Sequence, residues 1–219
     1  MSEVSQFPAT FPSSRGPIGP CRIKGLRGAT ENAGLFDGLK RHHFGAILAD
    51  PPWHFRTYSA KGTGRGAVSH YDTMTLDDIQ ALPVADMAAD DCALFLWATD
   101  PMLPQALDLM ASWGFQYKTV AFTWAKTTKG GDGWALGCGY WTRANPETCL
   151  FGTRGRPQRL SRSVRQLIVT PRREHSRKPD EAQAGIEELV PGPYLELFAR
   201  ESRPGWTTWG NEAGIFDNG

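Results

Sequence analysis

Cysteine is scarce in this chain of 219 residues, and its few thiols show no metal-binding spacing. None of them forms a C-x-x-C pair or a cysteine–histidine ladder, which argues against structural zinc and fits the reduced thiols of a cytoplasmic protein. We therefore expect no metal site. The four cysteines are Cys21, Cys92, Cys138 and Cys149.

Long apolar runs are also missing. No stretch approaches the roughly 20 residues that a membrane-spanning helix needs, and the N-terminus, MSEVSQFPAT, lacks the charged start and the apolar stretch of a signal peptide. We expect a soluble, cytoplasmic protein that does not contact a membrane. Hydrophobic residues make up 40% of the chain and charged residues 21%. This usage is close enough to the globular average to exclude a disordered, collagenous or disulfide-scaffold protein.

Positive charge is absent from one long segment and concentrated in another, although the net charge is only +1. Between Asp72 and Met110 there are eight aspartates and no lysine or arginine. Between Arg154 and Lys178 there are nine basic residues and a single glutamate. Arginine forks suit phosphate contacts, so this basic segment fits a polyanionic partner. A solvated loop whose charges serve only solubility explains the pattern equally well.

The chain divides into an N-terminal arm and one domain. Residues 1–33 are rich in proline, glycine and serine, which predicts a flexible arm, and residues 34–219 are expected to form a single domain. Strands alternate with helices in the remainder, which predicts an α/β fold with a largely parallel sheet and ligands beyond the carboxyl ends of its strands. The predicted strands are 45–49, 92–97, 115–124, 147–152, 164–170, 194–199 and 206–209, and the predicted helices are 75–82, 101–113 and 179–190.

The segment Asp50-Pro51-Pro52-Trp53 directly follows the first predicted strand. A carboxylate can accept a hydrogen bond from an amine, two prolines can leave a carbonyl pointing outward unpaired, and an indole offers a stacking face. Together they describe a pocket for a planar base with an exocyclic amine, such as adenine. If Asp50 and the Pro51 carbonyl accepted both amine protons, the nitrogen lone pair would be exposed for methyl transfer from a sulfonium. The alternative is a plain turn whose tryptophan packs in the core.

Three further features each admit two interpretations. Lys178 opposes the macrodipole at the start of a predicted helix, so it either binds an anionic ligand or is only a helix-terminal residue. Glu196 lies within an apolar strand, so its carboxylate is either paired or presented to a ligand. The glycine-rich loop that contains Arg143 carries aromatic residues that either contact a nucleobase or anchor the loop. These aromatic residues are Trp134, Tyr140 and Trp141.

Eight short segments follow one another in a recognisable order. They are DPPW at 50–53, YDTMT at 71–75, LFLW at 94–97, WAK at 124–126, ETCL at 147–150, SRKPDE at 176–181, ELFAR at 196–200 and WTTWGN at 206–211. In this order they resemble the DPPW-type adenine N6-methyltransferases. That family includes the catalytic subunit of the eukaryotic messenger-RNA adenosine methyltransferase and many bacterial and phage DNA-modifying relatives. The resemblance covers roughly residues 35–216.

The resemblance implies a Rossmann-like methyltransferase fold, in which a mostly parallel twisted sheet carries helices on both faces. It also implies a permuted order, with the catalytic motif ahead of the cofactor segment. The cofactor would be S-adenosylmethionine. The implied catalytic residues are Asp50, Pro51, Pro52 and Trp53, and the implied cofactor-binding residues are Asp50, Lys178, Arg200, Ser202, Asn211 and Glu212. The residues expected to hold the substrate are Trp53, Tyr71, Arg143, Arg172, Arg173 and Arg177.

We therefore expect an enzyme that methylates the N6 amine of adenine in a polynucleotide, with the target base out of the stack. DNA is the expected substrate, because the chain is compact and carries no CCCH fingers or other accessory RNA-binding module. The alternatives are an RNA adenine methyltransferase and a catalytically inactive paralogue that acts as a nucleic-acid-binding scaffold. Inactive members typically lose the aspartate or the aromatic residue, which this chain retains as Asp50 and Trp53. A homodimer and a heterodimer with a paralogue both stay open.

Overall fold

The computed structural model describes residues 36–53, 74–137, 139–174 and 177–210. The predicted arm at 1–33 lies outside these ranges, as do three predicted site residues, Tyr71, Asn211 and Glu212.

Seven strands and four α-helices make up the described part of the chain, and all seven predicted strands are confirmed. The strands are β1 (Phe44–Ala49), β2 (Ala88–Ala98), β3 (Gln116–Thr127), β4 (Glu147–Arg154), β5 (Leu167–Pro171), β6 (Tyr194–Leu197) and β7 (Trp206–Trp209). The helices are α1 (Leu76–Gln80), α2 (Val84–Met87), α3 (Leu103–Ser112) and α4 (Asp180–Leu189).

Local signals set the helix ends. The side chain of Thr75 accepts the N–H of Asp78 at 3.1 Å, which is the predicted capping bond of α1. The helix predicted at 101–113 begins instead with a 3-10 turn, because Pro101 and Pro104 both need positions in a first helical turn. Gly114 ends α3 with a φ of +82°, a conformation that favours glycine.

The sheet is mixed and has the strand order β5-β3-β4-β2-β1-β6-β7. Four of its six pairings are parallel, and β4 runs antiparallel to both of its neighbours, β2 and β3. The described sheet is therefore largely parallel, as predicted, and β4 is the strand that departs from the prediction. The described residues between β3 and β4 contain no helix, and without a helical crossover the chain returns in the opposite direction.

Alternate side chains of the sheet pack into two separate cores. In β1, Ile47 and Ala49 belong to one core, which α1, α2 and α3 cover. Ala46 and Leu48 belong to the other core, which α4 covers. The structure thus has helices on both faces of the sheet, and β1 is buried between them.

The described residues offer no cluster of His, Cys, Asp and Glu able to hold a metal ion. None of the helices in these ranges is long and apolar enough to cross a membrane. Cys92 and Cys149 are free thiols buried in the two cores. Burial raises the pKa of Cys92 to about 12, so this thiol is a packing residue rather than a nucleophile.

Candidate active site

The carboxyl ends of β1 and β6 lie side by side, because these strands pair in parallel with Ala49 opposite Leu197. Asp50 follows β1 directly, and its N–H donates to the carbonyl of Leu197 at 3.5 Å. Lys178 precedes Pro179, the N-cap residue of α4, and its ammonium lies 2.7 Å from the carboxylate of Asp50. A strand end and a helix start thereby bring two predicted site residues together.

The Asp50–Trp53 motif is a tight turn fixed to the sheet. The N–H of Trp53 donates to the carbonyl of Pro51 at 2.8 Å, so this carbonyl is not unpaired as the sequence predicted, although its second lone pair can accept another donor. The indole of Trp53 is only 4% exposed, and its Nε1 donates to the carbonyl of Trp97 at 3.0 Å. The tryptophan therefore packs in the core, as the alternative interpretation held, while Asp50 lines a cleft.

Four side chains of alternating charge form a chain that starts at Asp50, and we call it the ion-pair chain. Lys178 contacts Asp50 at 2.7 Å and a carboxylate oxygen of Glu147 at 3.2 Å. The other oxygen of Glu147 contacts the ammonium of Lys126 at 2.5 Å. The ammonium of Lys178 also lies 5.6 Å from the centre of the Trp97 ring, within the range of a cation–π contact.

The direction of β4 explains how the side chains of the ion-pair chain come together. Lys126 lies near the carboxyl end of β3, and Glu147 is the first residue of β4. Because β4 runs antiparallel to its neighbours, its start lies at the edge where the parallel strands end. The glutamate thus reaches a site that is otherwise built from strand ends.

Each buried charge in the ion-pair chain is stabilised by its neighbours. Burial alone would raise the pKa of Glu147, but the ammonium groups of Lys178 and Lys126 outweigh it and lower the pKa to about 2. Burial would likewise lower the pKa of Lys178, and the carboxylates of Asp50 and Glu147 raise it instead. Both groups are therefore charged at neutral pH.

A first cleft opens beside Asp50, between the end of β6 and the start of α4. Its empty volume, including the part open to solvent, is about 430 Å³. Glu196 of β6 lines it and accepts a hydrogen bond from the Gln183 side chain at 2.6 Å, so this carboxylate is both paired and presented to the cleft. Burial, reinforced by the negative charge of Asp50, raises the pKa of Glu196 to about 7. Further lining residues are Lys178, Arg177, Arg200 and Glu201.

A second, larger cleft lies on the other side of the ion-pair chain. Its empty volume, including the part open to solvent, is about 1150 Å³. Lys126 and Glu147 line it together with Arg172 and Arg173, which follow β5. Lys178 lines only the first of these two clefts, whereas its partner Glu147 lines only the second. The ion-pair chain is thus a wall that the two clefts share.

The predicted site residues fall into three groups in the described part of the chain. Asp50, Lys178, Arg177 and Arg200 line the first cleft, and Arg172 and Arg173 line the second. Arg177 pairs with Glu201, and Arg173 donates to Asp180 at 2.6 Å, so both guanidinium groups have carboxylate partners. The residues that line neither cleft are Pro51 and Pro52, the buried Trp53, the exposed Ser202, and Arg143, which donates to the carbonyl of Gly137.

The basic segment 154–178 does not form one continuous surface. Arg154 is the last residue of β4 and Glu147 is the first, so about 23 Å of strand separates Arg154 from the ion-pair chain. Arg154 donates to the carbonyl of Ala85, and the backbone of Arg156 donates to Asp91. The aspartate-rich and arginine-rich segments therefore meet at the far edge of the sheet. Only the arginines from 172 onward lie beside the two clefts.

Sequence reasoning missed Lys126, Glu147 and Gln183 as functional candidates. Lys126 and Glu147 lie in the quoted segments WAK and ETCL, yet neither was assigned a role. The available signal was a charged residue at the end of an apolar strand, where a buried charge requires a partner. Gln183 gave no comparable signal, because a glutamine on a helix is usually solvated.

The chain matches known proteins over most of its length. A family model described as MT-A70 matches residues 44–212. The chain is 35% identical over 196 residues to the Type II methyltransferase M.MunI of Mycoplasma sp, a match that covers 81% of each chain. It is 33% identical over 174 residues to the N(6)-adenosine-methyltransferase MT-A70-like protein of Drosophila melanogaster, covering 77% of this chain and 27% of that protein. For the N(6)-adenosine-methyltransferase catalytic subunit METTL3 of Homo sapiens the identity is 32%, with 77% of this chain and 28% of that protein covered.

The match covers a different share of the Type II methyltransferase M.MunI than of the adenosine methyltransferases. It spans about a quarter of the length of the adenosine methyltransferases but four fifths of M.MunI. The matched family region begins at Phe44, the first residue of β1, and extends past the end of β7. The matched region therefore contains both clefts and the whole ion-pair chain. This protein belongs to the MT-A70 family.

Proposed function

We propose that this protein transfers a methyl group from S-adenosylmethionine to the N6 amine of adenine in a polynucleotide, with DNA as the substrate. The observation that carries the proposal is the Asp50–Lys178 pair in the first cleft. A carboxylate fixed in place by a buried cation can orient an amine. The relatives named as N(6)-adenosine-methyltransferases support this class of reaction.

The first cleft has polar groups that fit S-adenosylmethionine. The amino-acid end of that molecule carries an ammonium and a carboxylate, for which Asp50 offers an acceptor and Lys178 a donor. On the β6 side, Glu196 and Arg200 can bind ribose hydroxyls, as an acidic residue does in dinucleotide sites. When bound, the cofactor supplies an electrophilic methyl carbon on a sulfonium. Contacts from Ser202, Asn211 and Glu212 stay predictions.

Asp50 orients the amine of the target adenine in this mechanism. Its carboxylate accepts one N6 proton, and the second lone pair of the Pro51 carbonyl accepts the other. These two bonds aim the nitrogen lone pair at the methyl carbon, so positioning and electrostatics supply the catalysis. As the new nitrogen–carbon bond forms, the methyl–sulfur bond would break and the sulfur would leave as a neutral thioether, while N6 becomes cationic and gives up a proton to Asp50 or to water. Lys178 fixes the orientation of the Asp50 carboxylate throughout.

The target base, which has left the stack, approaches Asp50 from the side of the second cleft. The rim of that cleft carries Arg172 and Arg173, which suit the phosphates on either side of a flipped nucleotide. DNA is preferred to RNA in this proposal because the chain matches M.MunI over four fifths of both lengths, and the bacterial branch of the resemblance modifies DNA. We also assign the fold to the permuted Rossmann-like methyltransferase type.

Methyl transfer can be tested directly with three proteins. Wild type, Asp50→Ala and Asp108→Asn are incubated with isotope-labelled S-adenosylmethionine and either unmethylated DNA or RNA, and the digested nucleosides are quantified by mass spectrometry. Asp108 is an exposed aspartate of α3 and serves as the matched control. We expect N6-methyladenine in DNA from wild type and Asp108→Asn, and none from Asp50→Ala, whose cooperative thermal melt should show that it still folds although Lys178 has lost one partner.

Each other outcome contradicts a distinct part of the proposal. If Asp50→Ala still transferred the methyl group, the role proposed for Asp50 would be wrong. If only RNA were methylated, RNA rather than DNA would be the substrate. A wild type that binds the cofactor but labels neither polymer would require a missing partner. Absence of cofactor binding would favour the inactive nucleic-acid-binding scaffold.

A further inference from the structure

The segment from residue 128 to residue 146, which we call the aromatic loop, displays large apolar side chains on the surface. Trp134 is 61% exposed, Leu136 59%, Tyr140 47% and Trp141 94%. Exposed apolar residues are ordinary when scattered singly, whereas a group of large ones marks an interaction site. The four lie within eight consecutive positions of one loop, so they are not scattered singly.

Hydrogen bonds hold the described backbone of the aromatic loop in a defined shape. The Asn145 side chain accepts the N–H of Lys126 at 3.2 Å and donates to the carbonyls of Lys126 and Ala135. The N–H of Ala135 donates to the Lys126 carbonyl at 2.9 Å, and Arg143 donates to the carbonyl of Gly137 at 3.0 Å. These polar contacts hold the loop in shape, and the ring of Trp141, which is 94% exposed, is not needed as an anchor.

The aromatic loop adjoins the second cleft. Leu136 and Asn145 belong to both, and the arginine Arg172 faces the same cleft from the end of β5. Asn145 is also bonded to the backbone of Lys126, a member of the ion-pair chain. A polymer whose target base approaches Asp50 from the side of the second cleft can therefore contact the exposed rings.

We propose that the aromatic loop is a stacking surface for the unpaired bases that flank the target adenine, with Trp141 as its principal contact. This proposal rests on the proposed function and adds to it the part of the protein that binds the polynucleotide. Aromatic rings stack on any base because every base has a π-face, and neighbouring cations follow the backbone. Trp141 is 94% exposed, so most of its surface is open to a stacked base.

Charge favours a polynucleotide over a protein as the occupant. The aromatic loop carries Lys129, Asp132 and Arg143, and the adjoining cleft adds Lys126, Arg172 and Arg173 against Asp100 and Glu147, so positive charge is in excess. A positive surface with aromatic rings suits a polyanion with stacking faces. A second copy of this chain would instead bring the same positive charge against it at a two-fold interface. Self-association through the loop is the alternative outcome of the test.

The test measures binding of a fluorescein-labelled, adenine-free oligothymidylate by fluorescence anisotropy at several salt concentrations. We compare wild type with Trp141→Ala, Arg172→Gln and Tyr117→Ala. Tyr117 is the matched control, because it is 42% exposed and lies about 30 Å along β3 from Lys126. Trp141→Ala should weaken binding about tenfold with little change in the salt slope, the effect of one lost stacking contact. Arg172→Gln should reduce the slope by about 0.7, the value for one phosphate contact on a single strand.

The outcomes separate this proposal from the proposed function. The oligothymidylate cannot be methylated at adenine, so its binding is independent of catalysis, and methylation is followed separately by mass spectrometry. Equal affinity of Trp141→Ala and wild type overturns the stacking surface even if wild type methylates DNA. A tenfold loss supports it even if wild type methylates nothing. Unchanged affinity together with a smaller particle mass in light scattering assigns the loop to self-association instead.

Discussion

The ammonium of Lys178 lies 2.7 Å from the carboxylate of Asp50, although 128 residues separate the two in the chain. The same ammonium contacts Glu147 at 3.2 Å, so one cation holds two carboxylates in place. Because the three side chains are between 16% and 24% exposed, water screens their charges only in part. The site therefore depends on Lys178 both for the stability of its charges and for their positions.

Replacement of Lys178 by methionine should destabilise the protein and abolish methyl transfer. It leaves Asp50 and Glu147 facing each other across a half-buried space without the cation between them. Loss of one partner of a buried ion pair typically costs about 3 kcal/mol or more, and the residual exposure here lowers our expectation to about 2 kcal/mol. Urea unfolding of Lys178→Met and of Lys178→Arg measures the effect. A methionine variant as stable as wild type, or less affected than the arginine variant, would contradict it.

Glu147 should make stability depend on pH in the acid range. Its pKa is lowered from 4.5 to about 2 in the folded state, so its contribution is fully present above pH 4.5 and is lost as the pH falls from 4.5 toward 2. Wild type should exceed Glu147→Gln in unfolding free energy by on the order of 2 kcal/mol at pH 6. This difference should shrink as the pH approaches 3. Urea unfolding of both proteins from pH 3 to pH 6 tests this trend. A difference in unfolding free energy that does not change with pH would exclude the pairing of Glu147 with Lys178 and Lys126.

Glu196 should make the protein less stable as the pH rises, which is the opposite of the effect of Glu147. Its pKa is raised from 4.5 to about 7, so the folded protein retains a proton that the unfolded chain has lost, and stability falls as the pH rises from 4.5 through 7. Glu196→Gln keeps an oxygen that can accept the Gln183 hydrogen bond and removes the charge. Without ligand, the variant should be more stable than wild type at pH 8 by on the order of 1 to 3 kcal/mol and nearly equal to it at pH 4.5. Thermal melts of both proteins at pH 4.5 and pH 8 measure this difference in stability. An equal difference at the two pH values would disprove the raised pKa of Glu196.

Asn145→Ala should loosen the aromatic loop without unfolding the protein. The substitution removes the side-chain hydrogen bonds that join Lys126 and Ala135. Hydrogen exchange of the Ala135 amide, which donates to the Lys126 carbonyl, should become at least tenfold faster. Amides within α3 serve as an internal control and should keep their wild-type rates. Protection at Ala135 equal to that of wild type would show that other contacts hold the loop.

The positions of the strands could be predicted from the sequence because each is a short apolar run closed by turn residues. The direction of β4 could not be predicted in the same way, since a run such as that between Glu147 and Arg154 looks alike in either orientation. What decided its direction was the connection from β3, whose described residues form no helix. α2 was missed as well, because four residues after Pro83 give too short a window for helical periodicity.

Site residues could be predicted from the sequence where a residue of that type has few other structural roles at that position. Asp50 after an apolar strand and Lys178 at a helix start both indicated a ligand, and the two lie in contact. Trp53 has two common uses, stacking and core packing, and only the structure shows that its ring is buried. The roles of Lys126 and Glu147 depend on pairing across the sheet, which no local pattern contains.

The central place of β1 has a consequence for protein synthesis. β1 pairs with β2 on one side and with β6 on the other, and β6 begins only at Tyr194. While the chain emerges from the ribosome, β1 and β2 can pair early, but one hydrogen-bonding edge of β1 stays open until more than 140 further residues have been made. Such an edge can pair with other chains. Translation stalled between Lys178 and Tyr194 should therefore yield an aggregation-prone fragment that carries Asp50 and Lys178 but lacks the β6 wall of the first cleft.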